Sequence, residues 1–322
     1  MMRRLLLFVP VLAVMVAAGL FWVWWAGPGP TRAPTTIVVP QGASVARVAD
    51  QLQAAHAIRG SAAAFRGFAR VLGARDPIQA GEFQIPAGMS ASGILDLLQH
   101  GRPIQRLVTI PEGLPSVLVQ ERLARIPFLN GPAPLPAEGS VLPDTYTYQR
   151  GETRAAVVAR MQAAMRRELA RLWASRRSTA VVTTPEQAVI LASIVEKETG
   201  KPAERRLVAA VYSNRLRQGI RLDADPTVIY PVTRGRPLGR RILQSELRAD
   251  NGYNTYARAG LPQGPITNPG RESIAAALDP APSGALYMVA DGTGGHAFAE
   301  TLAEHNANVA RWYAIRRARG EM

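Results

Sequence analysis

The sequence predicts an α+β protein in three parts: an N-terminal transmembrane helix, a small strand-helix module and a larger mixed α+β domain. Three observations carry that prediction. An uncharged apolar run opens the chain at Leu5. A Pro/Gly break follows it, and a strand-turn-helix pattern is then written three times. Beyond residue 106, long helical periodicities alternate with Gly- and Pro-rich loops.

The first element is LLLFVPVLAVMVAAGLFWVWWA, from Leu5 to Ala26. At about 1.5 Å per residue it is long enough to cross roughly 30 Å of hydrocarbon. Arg3 and Arg4 precede it with no acidic residue, which places the N-terminus in the cytoplasm and exports the rest across the inner membrane into the periplasm. Trp22, Trp24 and Trp25 suit a membrane interface, and no small-x-small cleavage site follows. Residues 1–26 therefore read as an uncleaved anchor; a cleaved signal peptide would change the attachment but not the compartment. Residues 27–34, GPGPTRAP, cannot be helical and make a leash of at most about 25 to 30 Å.

The repeated pattern is IVVPQGASVARVADQL from Ile37, FQIPAGMSASGILDLL from Phe83 and VTIPEGLPSVLVQERL from Val108. Each copy runs from a strand through a Pro-x-Gly turn into a helix that carries Leu52, Leu98 or Leu123 at one equivalent position. A helix over Gly60 to Gly73 completes a strand-helix-helix-strand module at residues 35–105. Such a module suits glycan binding or a plain spacer role. Residues 106–322 form the larger domain, with a proline-rich loop at Phe128 to Pro136 and an arginine-rich helix from Thr153 to Ser175.

Composition narrows the function. The 322 residues, 47% of them hydrophobic, have room for about two cores. With no cysteine there is no disulfide framework and no thiolate chemistry. The net charge of +14 comes with no helix-turn-helix, zinc-finger or RNP pattern, and an exported chain does not meet nucleic acid. An acidic polymer or an anionic lipid surface fits the charge better, as does simple arginine-rich composition, since Lys197 and Lys201 are the only lysines. His56, His100, His296 and His305 lack metal-ligand spacing, so no metal or other cofactor is expected. GMSASG is not a nucleophile elbow, and the glycines of DGTGGH read as a hairpin turn.

The chemistry gathers on one helix. Thr184, Pro185 and Gln187 form a strong helix start, the run QAVILASIVEKET follows, and Gly200 is the expected stop. Ala188 to Val195 is apolar all round, so the helix is buried and Glu196 is the first charge to emerge. A carboxyl at the C-terminal end of a buried helix is pushed toward its protonated form, as a general acid for glycosidic cleavage requires. Equally, Glu196 could pair with Lys197 or a nearby arginine. Glu198 lies about 200° further round, off the face of Glu196. Asp223 and Asp225 could approach from the next loop as a second carboxylate.

EGSVLPDTYTY from Glu138, LASIVEKETG from Leu191, VYSNRL from Val211, RLDADPTVIY from Arg221, YNTYARAGLPQGPITNPG from Tyr253 and LYMVADGTGGHAFAETLAEHN from Leu286 together resemble the endolytic murein transglycosylases of the YceG-like family. The resemblance runs from Thr35 to Asn306 and includes the anchor. It implies a LysM-like module at residues 35–105, a catalytic domain at 106–322 and Glu196 as catalytic acid/base. The implied reaction cleaves the MurNAc-β-1,4-GlcNAc bond within nascent peptidoglycan strands without water. The muramic acid's own 6-hydroxyl attacks and leaves a 1,6-anhydro end, so one glutamate suffices. Asn254, Tyr256, Gln263, Asn268 and Asp225 are the candidate substrate contacts, although all but Asp225 also suit turn formation in a Gly/Pro-rich loop. Gln263 stands where the family commonly has a second proline, and Tyr148 where it has phenylalanine. Peptidoglycan synthases are implied partners, and termination of strand elongation the implied role. Two alternatives stay open: a hydrolytic muramidase using Asp223 or Asp225, and a non-enzymatic wall-binding scaffold.

Overall fold

A computed structural model describes residues 2–73 and 76–321, with side chains in the first helix from Val11 onward. The chain forms two compact units. One comprises Met1–Leu107 with Phe128–Asn130 and Thr147–Glu152; the other comprises Val108–Pro127, Gly131–Tyr146 and Thr153–Met322. Among the described residues the strands form three two-stranded sheets, so the fold is mixed α+β with helices dominant.

In the first unit, helix α1 (Met2–Phe21) ends in a π-helical turn over Trp22–Ala26. Strand β1 (Thr35–Val39), helices α2 (Val45–Ala54) and α3 (Ala62–Leu72), strand β2 (Gly81–Ile85) and helix α4 (Ala91–His100) follow. β1 pairs antiparallel with β2, with Ile37 opposite Phe83. The repeat is visible in the backbone, because Gly42, Gly88 and Gly113 all take left-handed φ, at 72°, 69° and 69°. Ser44 and Ser90 cap the helices that follow, accepting from the N–H groups of Arg47 and Gly93. The equivalent leucines, Leu52, Leu98 and Leu123, are fully buried. Glu82, also buried, is held ionised by Arg106 and Arg150, and both guanidiniums stack on Phe128.

The N-terminal segment departs from expectation at Trp25 and at residues 27–34. Among the described residues no helix is long and apolar enough to cross a membrane, and side chains 5–10 of the expected anchor lie outside the described residues. Trp25 is not an interface residue: it is 5% exposed and packs on Phe65 and Phe68 at 5.7 and 5.5 Å between ring centroids. The aromatic face of α3 gives the indole a drier site than an interface would. GPGPTRAP is not a free leash either. Gly29 N–H donates to the Gly88 carbonyl at 2.9 Å, and Gly88 N–H returns a bond to Thr31 at 2.9 Å. A Cβ on Gly29 would collide with the Met89 carbonyl oxygen, so only glycine lets this strap lie flat.

The remaining helices belong to the second unit. Strand β3 (Arg106–Thr109) pairs with β4 (Thr145–Tyr148), and α5 (Ser116–Ala124) lies between them in sequence. Helices α6 (Arg154–Ala174), α7 (Pro185–Glu198), α8 (Arg205–Arg217), α9 (Asp225–Thr233), α10 (Gln244–Arg248) and α11 (Arg271–Leu278) follow. The chain ends in the antiparallel hairpin β5 (Tyr287–Ala290) and β6 (His296–Ala299), closed by Gly292 and Gly294 in left-handed conformation, and in α12 (Leu302–Ala318). α7 is surrounded by α6, α8, α9 and α11, which is why its middle is apolar on every side. Its start follows the sequence closely, since Thr184 Oγ1 accepts from Gln187 N–H. The Gln187 side chain, however, caps Thr183, and the helix stops at Thr199, one residue before the expected Gly200.

Candidate active site

A cavity of about 400 Å³ opens in the second unit where the C-terminal end of α7 meets α8, the loop into α9, the hairpin and α12. Glu198, Tyr212, Arg215, Asp223, Asp225, Tyr256, His296 and His305 line it. Local sequence accounts for the placement of Glu198. Leu191, Ile194, Val195 and Glu198 fall at i, i+3, i+4 and i+7, so the buried stripe of α7 runs directly onto Glu198.

The loop that leads into Asp225, at the start of α9, is clamped by polar contacts. Arg215 donates to the carbonyls of Leu286 at 2.7 Å and Arg221 at 2.9 Å and to Asp223 Oδ2 at 3.1 Å. Asp223 sits at φ 51°, a left-handed turn held from the other side by Thr255, whose Oγ1 accepts from Ala224 N–H at 3.0 Å. Buried Thr227 pairs with Thr255 at 2.8 Å, joining the start of α9 to the 253–256 loop. Tyr256 Oη then donates to Asp225 Oδ1 at 2.6 Å, at the edge of the cavity.

The electrostatics single out Glu198. Burial lifts its carboxyl from the usual carboxylate range to about 7; the negative charge of Asp225 adds to the rise, while a hydrogen bond from Tyr212 and the charge of His296 oppose it. Tyr212 is fully buried, and burial together with Glu198 pushes its hydroxyl well above its ordinary value, so it stays a donor to Glu198. A carboxyl that keeps its proton near neutral pH inside a cavity can donate that proton to a leaving group.

Glu196, the residue expected to be the acid, does not line this cavity. Its Oε2 accepts from Gly270 N–H at 2.9 Å at the start of α11, and its Oε1 lies 3.7 Å from Arg205. Arg205 also binds Glu112 at 2.8 Å. Arginine pairing, one of the readings open for Glu196, is present at Arg205. The helix end turns Glu198 toward α8 and the hairpin and leaves Glu196 at the start of α11.

The other candidates divide in the same way. Asp225 and Tyr256 meet in the cavity. Asn254 is buried and donates to the carbonyls of Glu246, Leu247 and Ala249, a turn-stabilising role. Asn268, fully buried, donates to the Leu114 carbonyl and Ser116 Oγ and accepts from Val141 N–H at 3.0 Å. Gln263 is exposed outside the cavity, with its N–H on the Gly252 carbonyl. Tyr212, Arg215, His296 and His305 were missed as cavity residues because nothing local marks them: α8, the hairpin and α12 converge only in three dimensions.

The model of the YceG-like family matches residues 37–311. The chain belongs to the YceG-like family. A relative named endolytic murein transglycosylase, from Bacillus subtilis strain 168, is 27% identical over 86% of this chain and 84% of its own length. One of the same name from Streptococcus pneumoniae D39 is 26% identical over 85% of this chain, which spans 58% of that longer protein. Among solved structures, a yceG-like protein of Listeria monocytogenes aligns with TM-score 0.52 and 25% identity over 86% of this chain and 99% of its own.

Proposed function

We propose that the chain is a peptidoglycan lytic transglycosylase that cuts within glycan strands, with Glu198 as the catalytic acid. The observation that carries this reading is a single carboxyl, at the edge of a polar cavity, lifted to about 7 by burial. The names of the relatives supply the substrate class.

In this mechanism Glu198 gives its proton to the oxygen of the MurNAc-β-1,4-GlcNAc bond as the C1–O4 bond breaks. Positive charge grows on the muramic acid C1 and ring oxygen, and the anionic Asp225, oriented by Tyr256, faces it across the cavity. The sugar's 6-hydroxyl then closes on C1 to give the 1,6-anhydro end. Asp225 is also what favours the second reading, a hydrolase that admits water as nucleophile. Its Oδ1 is already taken up by the Tyr256 hydroxyl at 2.6 Å, which suits an electrostatic role better than that of a base. Mass spectrometry of strands digested by the full chain separates the two: 1,6-anhydro-MurNAc ends support the transglycosylase, and reducing MurNAc ends in their place would overturn it.

The finer biology rests on sequence and surface features. Attachment to the inner membrane through residues 5–26, with the catalytic unit periplasmic, is supported by the uncharged run and by the exposed Val11, Leu12, Val14, Met15, Val16 and Leu20. The β1-α2-α3-β2 order of the first unit is compatible with a LysM-like glycan-binding role. Cutting of nascent strands beside a peptidoglycan synthase would make the enzyme a terminator of elongation. Carbonate extraction of membranes tests the attachment, with retention in the pellet as the expected result.

A further inference from the structure

The proposed reaction leaves one proton unassigned. When the 6-hydroxyl attacks C1 its proton must leave, and the expectation from the family is that the same glutamate takes it back. The cavity holds a second group built for that task. His296, the first residue of β6, lines the cavity with Glu198.

Glu204 holds His296 at two points. Its Oε2 lies 2.8 Å from His296 Nδ1, and its Oε1 accepts from His296 backbone N–H at 3.2 Å. A carboxylate can only accept, so Nδ1 must carry the hydrogen, and in the neutral ring the lone pair is on Nε2. The hairpin lies close to this pair: a Cβ on Gly295 would meet the ends of the Glu204 and Lys201 side chains, which would have to shift to admit it. Lys201 donates to Thr293 Oγ1 at 2.9 Å and lies 4.0 Å from Glu204 Oε1, fixing the turn on the same side. The other ionisable side chains of the same cavity include Glu198, Asp223, Asp225, Arg215 and His305, the last with its pKa lowered by burial.

We propose that His296, positioned by Glu204, accepts the proton of the attacking 6-hydroxyl, so that acid and base work are divided between Glu198 and His296. This rests on the transglycosylase reading. In the step, a lone pair on O6 forms the O6–C1 bond, the C1–O4 pair stays with O4, O4 receives the Glu198 proton, and Nε2 receives the O6 proton. The imidazolium then returns a proton to the Glu198 carboxylate, and no proton is gained or lost over the cycle. His296 is the catalytic residue here and Glu204 its positioning residue.

The test measures anhydro and reducing ends against pH for the full chain and for Glu198→Gln, His296→Gln, Glu204→Gln and His296→Ala with and without imidazole. Wild type should form anhydro ends and Glu198→Gln almost none; wild type yielding no anhydro ends would sink the transglycosylase reading itself. His296→Gln should slow anhydro formation by roughly 10²-fold, the usual contribution of a positioned base, and raise the share of reducing ends as water competes for C1. Glu204→Gln should move the same ratio in the same direction by less. Imidazole should restore part of the His296→Ala rate, which a loss of folding would not allow. Anhydro formation by His296→Gln at the wild-type rate, end ratio and pH profile would overturn the division of labour while leaving the transglycosylase reading intact.

Discussion

Replacing Glu198 with glutamine should make the protein more stable above neutral pH while it abolishes activity. The folded-state pKa of Glu198, about 7, lies above the ordinary value of 4.5, so the folded chain binds this proton more tightly than the unfolded chain. The stability that this group contributes is complete below about pH 4.5 and is lost as pH rises through about 7. A rise from 4.5 to about 7, at 1.36 kcal/mol per unit, corresponds to roughly 3 kcal/mol between the two limits. Glutamine keeps the shape, can still accept from Tyr212 and never ionises. Thermal unfolding of wild type and Glu198→Gln from pH 5 to 8 reads the difference. The two melting temperatures should lie close together at pH 5, with the variant ahead by about 6 to 12 °C at pH 8, taking about 2 to 4 °C per kcal/mol. Glu138, whose carboxyl burial also raises, is present in both proteins and cancels from the comparison. A gap that does not change with pH would refute the claim that Glu198 is held protonated.

Asn268→Ala removes four hydrogen bonds from a fully buried amide, so it should cost about 2 to 4 kcal/mol of stability with KM little changed; a raised KM at unchanged stability would return Asn268 to the substrate site. Trp25→Ala should destabilise the first unit by about 3 to 5 kcal/mol, read by limited proteolysis of the 35–105 region; resistance equal to wild type would mean that Trp25 is not part of that core. Tyr256→Phe removes the 2.6 Å bond to Asp225 and should lower kcat about tenfold with the melting temperature held within a degree or two. An unchanged kcat would remove Asp225 and Tyr256 from the transition state.

Local patterns were legible in the sequence wherever one segment determines its own structure. The three strand-turn-helix copies appear with their left-handed glycines and buried leucines, and the Thr184-Pro185 start of α7 is where the caps require it. What the sequence could not supply was the partner of each helix face. Glu196 and Glu198 are both carboxylates at the end of a buried helix, and propensity treats them alike. Their difference is that α11 offers Glu196 a backbone N–H and α8 offers it Arg205, while Glu198 meets Tyr212 and the cavity. The heptad stripe through Leu191, Ile194 and Val195 to Glu198 was the available signal, and the 200° separation of the two glutamates needed to be read toward that stripe. Likewise Trp25 reads as an interface residue until α3 is seen to offer Phe65 and Phe68.

The central claim is that Glu198, not Glu196, is the acid that cleaves the strand. Anhydro-end formation by Glu198→Gln and Glu196→Gln, measured side by side with wild type on the same peptidoglycan at pH 7, tests it most directly. Glu198→Gln should lose activity by about 10²-fold or more, while Glu196→Gln should keep its chemistry and lose about 1 to 3 kcal/mol of stability from the Gly270 and Arg205 contacts. A folded Glu196→Gln without activity, beside an active Glu198→Gln, would contradict the account.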